Sequence, residues 1–262
     1  MMRGESEGHV ALVTGGSRGI GRAICLRLAE AGAAVAVNYN QNQKAADQVV
    51  GQIEAGGGRA LAVQADVSEK AAVDAILDRV REGLGTVDIL VNNAGIMRPG
   101  RLLDHREEDL DAMWRTNVKG VLYCAAVFAP GMIELGWGRV INVSSNAGVG
   151  TALPGTTFYA ATKGAVLSLT RRLAFELGPH GITVNAVLPG FIETEMTTAH
   201  LTPEGIAGVT DAFNKRSMLG RGVGEPEEIA HVVEFLGSER SSFMTGQLLL
   251  ADGGRTDYLS HA

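Results

Sequence analysis

Short, nearly continuous apolar runs alternate along the chain with longer stretches in which apolar positions recur every three or four residues. The runs at 10–15, 33–39, 59–67, 87–95, 138–145, 182–190 and 246–254 read as strands. Helical spacing covers 20–32, 42–55, 69–82, 106–134, 159–178 and 226–237, and Gly32 stands where a C-cap would end the first helix. Strands that are apolar on both faces are expected where helices cover both sides of a parallel sheet. Repeated βαβ units with right-handed crossovers therefore predict an α/β fold. It is a doubly wound, Rossmann-type sheet of about seven parallel strands with helices on both faces. No linker or shift in composition divides the chain, so 1–262 reads as a single catalytic domain. The stretch 191–221 has weak periodicity and follows the carboxyl end of a strand, which is where a substrate lid would lie.

Composition narrows the function classes. Of 262 residues, 45% are hydrophobic and 20% charged, enough for a large core and too apolar for disorder. The 35 glycines are dispersed, which implies tight turns and close backbone approaches. A net charge of -6 argues against a general nucleic-acid binder. Cys25 and Cys124 are too few for a disulfide framework; they read as small apolar helix residues in a reducing, cytoplasmic compartment. The opening MMRGESEGHV has no apolar signal segment. No apolar stretch reads as the ~18 residues that span a bilayer, so no membrane role is expected. His9, His105, His180, His200, His231 and His261 form neither an i, i+4 pair nor a cluster with cysteine, so no metal site is expected.

The first strand runs into Thr14-Gly15-Gly16-Ser17-Arg18-Gly19-Ile20-Gly21, which opens the first helix. A glycine-rich turn there brings backbone N–H groups and the positive helix end to a pyrophosphate. The Gly-Lys-Ser/Thr ending of a nucleotide-triphosphate loop is absent. An NAD site places an acid near the end of the second strand, but here that strand ends Val37-Asn38-Tyr39-Asn40-Gln41, with no acid before Asp47. Arg18 can give a charge-assisted bond to a 2′-phosphate, with Asn38 and Tyr39 beside it, so NADP(H) is favoured over NAD(H).

Tyr159 and Lys163 stand at i and i+4, on one face of a helix, after a strand that ends in Ser144-Ser145. Proton exchange with an alcohol or carbonyl needs an acid/base, and a nearby ammonium favours phenolate. A serine hydroxyl can donate to the developing oxyanion. TGGSRGIG at 14–21, AD at 65–66, NNAG at 92–95, Asn117 in RTNVKG, INVSS at 141–145, YAATK at 159–163 and NAVLPGFIETEM at 185–196 together resemble the short-chain dehydrogenase/reductase family, from His9 to Gly254.

That resemblance implies Ser145 as carbonyl polariser, Tyr159 as acid/base, Lys163 as tuner and ribose ligand, and Asn117 as anchor of a proton-relay water. Ser145 is preferred to Ser144 because family members place Gly three residues on, here Gly148. The spacing from Ser145 to Tyr159 is one residue longer than the commonest, which puts the shape of the 148–155 loop in question. It further implies cofactor contacts from Gly15, Ser17, Arg18, Gly19, Ile20, Gly21, Asn38, Tyr39, Asp66, Val67, Asn93, Ala94, Gly95, Pro189, Gly190, Ile192 and Thr194, besides Tyr159 and Lys163. Residues 216–239 and 245–254 look most like 3-oxoacyl-acyl-carrier-protein reductases. However, 133–137 and 175–180 carry no Lys or Arg with which to steer an acidic carrier, and Arg171 and Arg172 lie about two turns earlier. A small ketone, sugar or secondary alcohol is therefore favoured over an acyl-carrier thioester. An NAD-linked sugar or alcohol dehydrogenase and a catalytically inactive dinucleotide sensor are the other readings. Apolar residues on more than one face of 106–134 and 159–178, such as Val121, Leu122, Val127 and Phe128, suggest a homo-oligomer, a tetramer by resemblance. The tail 255–262 is expected to reach a neighbouring subunit's pocket.

Overall fold

The computed structural model describes residues 6–198 and 201–259. His200, His261 and the tail residues 260–262 lie outside the described residues. Seven parallel strands form one sheet in the order β3-β2-β1-β4-β5-β6-β9. They are β1 (Val10–Val13), β2 (Ala34–Tyr39), β3 (Ala60–Gln64), β4 (Ile89–Asn92), β5 (Gly138–Val143), β6 (Ile182–Pro189) and β9 (Leu248–Ala251). A second, two-stranded parallel pair, β7 (Phe191–Ile192) with β8 (Val223–Gly224), lies in the segment after β6.

Two cores flank the sheet. On one face α1 (Gly19–Glu30), α2 (Gln43–Ala55) and α9 (Pro226–Gly237) bury Ile24, Leu28, Val49, Val233 and Leu236. On the other, α3 (Lys70–Gly83), α5 (Gly120–Leu135) and α6 (Thr157–Leu177) bury Ile76, Val80, Phe128, Met132 and Ala174. This explains why β1, β2, β4, β5 and β6 are buried along their whole length. Gly32, at φ +101, follows α1 in the left-handed conformation expected of a residue just past a helix end. Cys25 and Cys124 are free, buried thiols on α1 and α5.

The structure departs from expectation in three places. The helix expected over 106–134 is α4 (Glu107–Trp114) and α5 joined by a π turn at Arg115–Lys119. The π turn holds the buried Asn117, a local feature that helical periodicity does not reveal. By length and composition alone, Glu107–Leu135 would also suffice to cross a membrane, contrary to the sequence reading. Here its apolar side chains Cys124, Phe128 and Met132 are core residues against the sheet. The weakly periodic stretch 191–221 holds two helices, α7 (Glu195–Thr198) and α8 (Pro203–Asn214). Thr202 caps α8 by accepting from the Gly205 N–H at 3.2 Å, and Pro203 occupies its first turn.

Candidate active site

The strand order reverses between β1 and β4, so their carboxyl ends open a crevice, the usual ligand position in such sheets. The glycine turn after β1 lies there. Gly15 and Gly19 adopt φ +63 and +52. A Cβ on Gly21 would run into the Gly15 carbonyl, so only glycine lets α1 start this close to the strand. The N-terminus of α1 has no side-chain cap and no acid in its first turn, which leaves its N–H groups to an anion. A pyrophosphate fits this cradle.

Asn93 braces the turn. Its Nδ2 donates to the carbonyls of Thr14 (2.9 Å) and Gly15 (3.1 Å). The Thr14 hydroxyl accepts from the N–H groups of Asn93 and Ala94, both at 3.0 Å. Asn38 lies beneath the turn with both ends of its amide engaged: Oδ1 accepts from Gly15 N–H (3.2 Å), and Nδ2 donates to the carbonyls of Val63 (3.2 Å) and Ala65 (3.1 Å). Asn38 therefore shapes the cradle from below instead of reaching into it. Tyr39 also departs from expectation: it is 5% exposed and belongs to the core that includes Ala46 and Val49. The first exposed position after β2 is Asn40, whose Nδ2 donates to Asp66 Oδ2 at 3.0 Å. Arg18 is exposed and makes no ion pair among the described residues. The Val67 side chain is buried against Gly120, so only its backbone faces the crevice. Ser17 and Ile20 are half-buried beside the turn.

The proposed chemical groups converge at the ends of β4, β5 and α6. The buried Lys163 Nζ donates to the Val143 carbonyl at 2.9 Å and lies 5.7 Å from the centre of the Tyr159 ring. Burial pulls the Lys163 ammonium down to about 8. Burial pushes the Tyr159 phenol up to about 12, opposed by a hydrogen bond with the Ser145 side chain. The protein by itself thus holds Tyr159 as a neutral acid. Ser145 Oγ accepts from the Ala147 N–H at 3.1 Å and caps the short turn Asn146–Val149. Ser144 Oγ instead donates to the Lys163 carbonyl at 3.0 Å in the buried interior, which leaves Ser145 as the serine facing the site. Gly148 packs on α6 so closely that a Cβ would lie 2.9 Å from the Lys163 carbonyl carbon. The longer 148–155 loop is taken up by this turn and by Gly150 and Gly155 at φ +95 and +78.

Asn117 is 1% exposed, and its amide pairs with Ile96 at both ends: Nδ2 donates to Ile96 O at 2.9 Å and Oδ1 accepts from Ile96 N–H at 2.8 Å. It also donates to Thr162 Oγ1 at 3.0 Å, and that hydroxyl donates to the Tyr159 carbonyl at 2.8 Å. A Cβ on Gly95 would lie 3.4 Å from Asn117 Oδ1 and 3.5 Å from Lys163 Nζ, so Gly95 keeps this corner open. Thr162 escaped the sequence reading, although a polar residue three positions after Tyr159 was its available signal.

Pro189 ends β6, and Gly190 lets the chain pass Asp252, where a Cβ would lie 2.7 Å from the Asp252 Cα. Beyond it Ile192 is buried, and Thr194 reaches across to the glycine turn, 3.2 Å from where a Gly19 Cβ would be. A cavity of about 290 Å³ between them is lined by Gly19, Arg22, Thr194 and Glu195. A larger one, of about 590 Å³, lies beyond Gly190 and is lined by Phe191, Met218, Asp252, Arg255 and Tyr258. No cluster of three or more His, Cys, Asp or Glu side chains arranged for a metal ion occurs among the described residues.

The chain is similar to known proteins over nearly its whole length. The family model described as enoyl-(acyl carrier protein) reductase matches residues 15–256. The 3-oxoacyl-[acyl-carrier-protein] reductase FabG of Staphylococcus aureus is 43% identical over 244 residues, 93% of this chain and 96% of that protein. The short-chain dehydrogenase/reductase of Serratia marcescens superposes with a TM-score of 0.88 at 37% identity, covering 95% of this chain and 98% of that one. A gluconate 5-dehydrogenase of Burkholderia cenocepacia, solved with NADP and tartrate, gives a TM-score of 0.88 at 38% identity over 96% of each chain.

Proposed function

The chain belongs to the short-chain dehydrogenase/reductase family, and from that premise we propose that it interconverts a small carbonyl compound and its secondary alcohol with NADP(H). It is an oxidoreductase of CH–OH and carbonyl groups that uses a nicotinamide dinucleotide. The observation that carries the proposal is the meeting of Ser145, Tyr159 and Lys163 at the switch point of the sheet, beside the glycine cradle.

When bound, the nicotinamide supplies or accepts the hydride. The protein's own groups handle the proton and the charge. The Tyr159 hydroxyl, protonated at neutral pH, donates its proton to the carbonyl oxygen as that oxygen gains charge. Ser145 Oγ polarises the same oxygen. The Lys163 ammonium, 5.7 Å from the Tyr159 ring, stabilises the phenolate that Tyr159 becomes and would meet the cofactor's ribose. Asn117, held in the π turn with its side chain tied to Ile96, is the anchor for a relay water. Gly15, Ser17, Gly19, Ile20 and Gly21 would hold the pyrophosphate. Asp66 and the Val67 backbone would flank the adenine, Asn93, Ala94 and Gly95 would line the ribose channel, and Pro189, Gly190, Ile192 and Thr194 would hold the nicotinamide end. Residues 191–221 serve as the lid of one catalytic domain, supported by the approach of Thr194 to Gly19.

Cofactor choice rests on Arg18, exposed and without an ion pair among the described residues, and on the lack of an acid at the end of β2. The Burkholderia neighbour was solved with NADP, which supports the same choice. A second reading, reduction of a 3-oxoacyl-carrier thioester, draws on the name of the Staphylococcus relative. It is disfavoured by the absence of Lys and Arg at 133–137 and 175–180, and by the 3.6 Å pairing of Arg172 with Glu176, which reduces the free charge nearby. Two free, buried thiols fit a cytoplasmic setting.

The test is kcat/KM for NADPH and NADH over ketones, sugars and a 3-oxoacyl thioester, with wild type and Arg18→Ala. A charge-assisted bond is worth about 1.5–3 kcal/mol, so Arg18→Ala should lose roughly ten- to a hundredfold with NADPH and little with NADH. Equal losses with both cofactors would remove the NADP(H) assignment. Turnover confined to the thioester would replace the small-carbonyl reading with the carrier reading.

A further inference from the structure

Over 255–259 the tail folds back on its own chain. After β9 the backbone turns through Gly253 and Gly254, at φ +70 and +72, and runs between two segments. On one side it holds the end of the lid. The Gly254 carbonyl accepts from the Met218 N–H at 2.9 Å, the Gly253 carbonyl from Ser217 Oγ at 2.6 Å, and the Thr256 N–H donates to the Arg216 carbonyl at 2.9 Å. The Arg255 guanidinium lies 4.4 Å from the centre of the Phe213 ring and bonds both oxygens of Asp257, at 2.7 and 2.6 Å. On the other side it pairs with the loop that follows Ser145. The Ala152 N–H donates to the Asp257 carbonyl and the Leu259 N–H to the Gly150 carbonyl, each at 3.0 Å, and Thr151 pairs with Tyr258 in an antiparallel bridge.

Three side chains close the middle. The Tyr258 hydroxyl donates to Asp252 Oδ2. The same oxygen accepts from Asn146 Nδ2 at 3.3 Å. Asn146 is buried and is the residue directly after Ser145. Burial and the Asp252 hydrogen bond push the Tyr258 phenol well above the usual tyrosine range, so it remains a donor at neutral pH. The turn at Asn146–Val149 is short, and Ser145 Oγ already spends one lone pair on Ala147 N–H. The direction of the serine hydroxyl therefore depends on how this turn is held.

Resting on the reading of Ser145 given above, we propose that Tyr258 is a positioning residue: through Asp252 and Asn146 it fixes the turn that aims Ser145, and the 253–259 segment ties that turn to the lid. Its contribution is made through Ser145 and vanishes when Ser145 is removed.

The experiment compares Tyr258→Phe in wild type and in Ser145→Ala, with hydrogen exchange of the free proteins. Phe keeps the ring and removes only the hydroxyl. Loss of one hydrogen bond to a carboxylate predicts about a tenfold fall in kcat in wild type, with the Kd for NADPH unchanged. In Ser145→Ala the same substitution should change kcat by less than about twofold, since the two residues act as one unit. Exchange at 146–152 should speed up in Tyr258→Phe. Equal fractional losses in the two backgrounds, or unchanged exchange at 146–152, would overturn the proposal. If wild type reduces no carbonyl compound, the proposed function fails by that result, and the exchange measurement still decides whether Tyr258 holds the turn.

Discussion

Lys163 is the least comfortable group at the site. It is buried, its one hydrogen bond among the described residues goes to the Val143 carbonyl, and burial lowers its pKa from 10.5 to about 8. The unfolded chain thus binds this proton more tightly than the folded chain between those values, and stability rises with pH through that window. At pH 7 the charged ammonium costs the fold on the order of 3 kcal/mol, a cost that disappears as pH climbs from about 8 toward 10.5. Lys163→Met should therefore be more stable than wild type at pH 7, with the gap closing by pH 10, as read from urea midpoints. Subtracting one protein from the other removes the contribution of the two buried thiols, whose raised values act in the opposite direction. A gap that stays constant with pH would mean that Lys163 keeps an ordinary pKa. At this scale the sequence carried the reactive types and spacings of Ser145, Tyr159 and Lys163 because chemistry dictates them. It did not carry Tyr39 or Asn38. In a strand buried on both faces, alternation says nothing about which side chain reaches a ligand.

Turns decide the cofactor cradle. Gly21→Ala places a methyl group against the Gly15 carbonyl, so α1 must move away from β1. Overpacking of this kind costs about 1–3 kcal/mol, and the displaced helix end should weaken cofactor binding at least tenfold, measured by fluorescence titration. Gly148→Ala meets the backbone of α6 and should lower kcat while leaving cofactor binding intact, because Gly148 supports the serine turn and not the pyrophosphate. Failure of these two variants to separate in this way would show that the two loops are not independent. Elements with strong periodicity were legible to within a few residues. The π turn at Arg115–Lys119 was not, since one extra residue in a turn leaves the apolar pattern on either side intact. Helix α8 was also hidden, because Gly205 and Gly208 dilute its helical signal and its start depends on the Thr202 cap.

At the scale of the whole molecule, the doubly wound sheet was legible because its strands read as continuous apolar runs and the long helices between them kept their period. The path of the tail was not, because it is set by contacts such as Tyr258 with Asp252 that are remote from any local pattern. The helices α4 to α6 bury Val121 and Phe128 yet leave Trp114, Leu122, Ile133 and Phe175 exposed. Covering these by a second copy is the reason to expect a homo-oligomer, a tetramer in the family reading. Light scattering at micromolar concentration should give a mass well above 27.4 kDa, and a monomer would remove that expectation. The central claim is that Tyr159 carries the proton in an NADPH-linked carbonyl reduction. The most direct test is single-turnover oxidation of NADPH by wild type and Tyr159→Phe on the best carbonyl substrate of the panel, with NADPH binding measured in parallel. A general acid contributes about 10²–10⁴-fold, so Tyr159→Phe should lose at least a hundredfold in rate while its Kd for NADPH stays within about twofold. A variant that keeps more than a tenth of the wild-type rate would contradict the assignment.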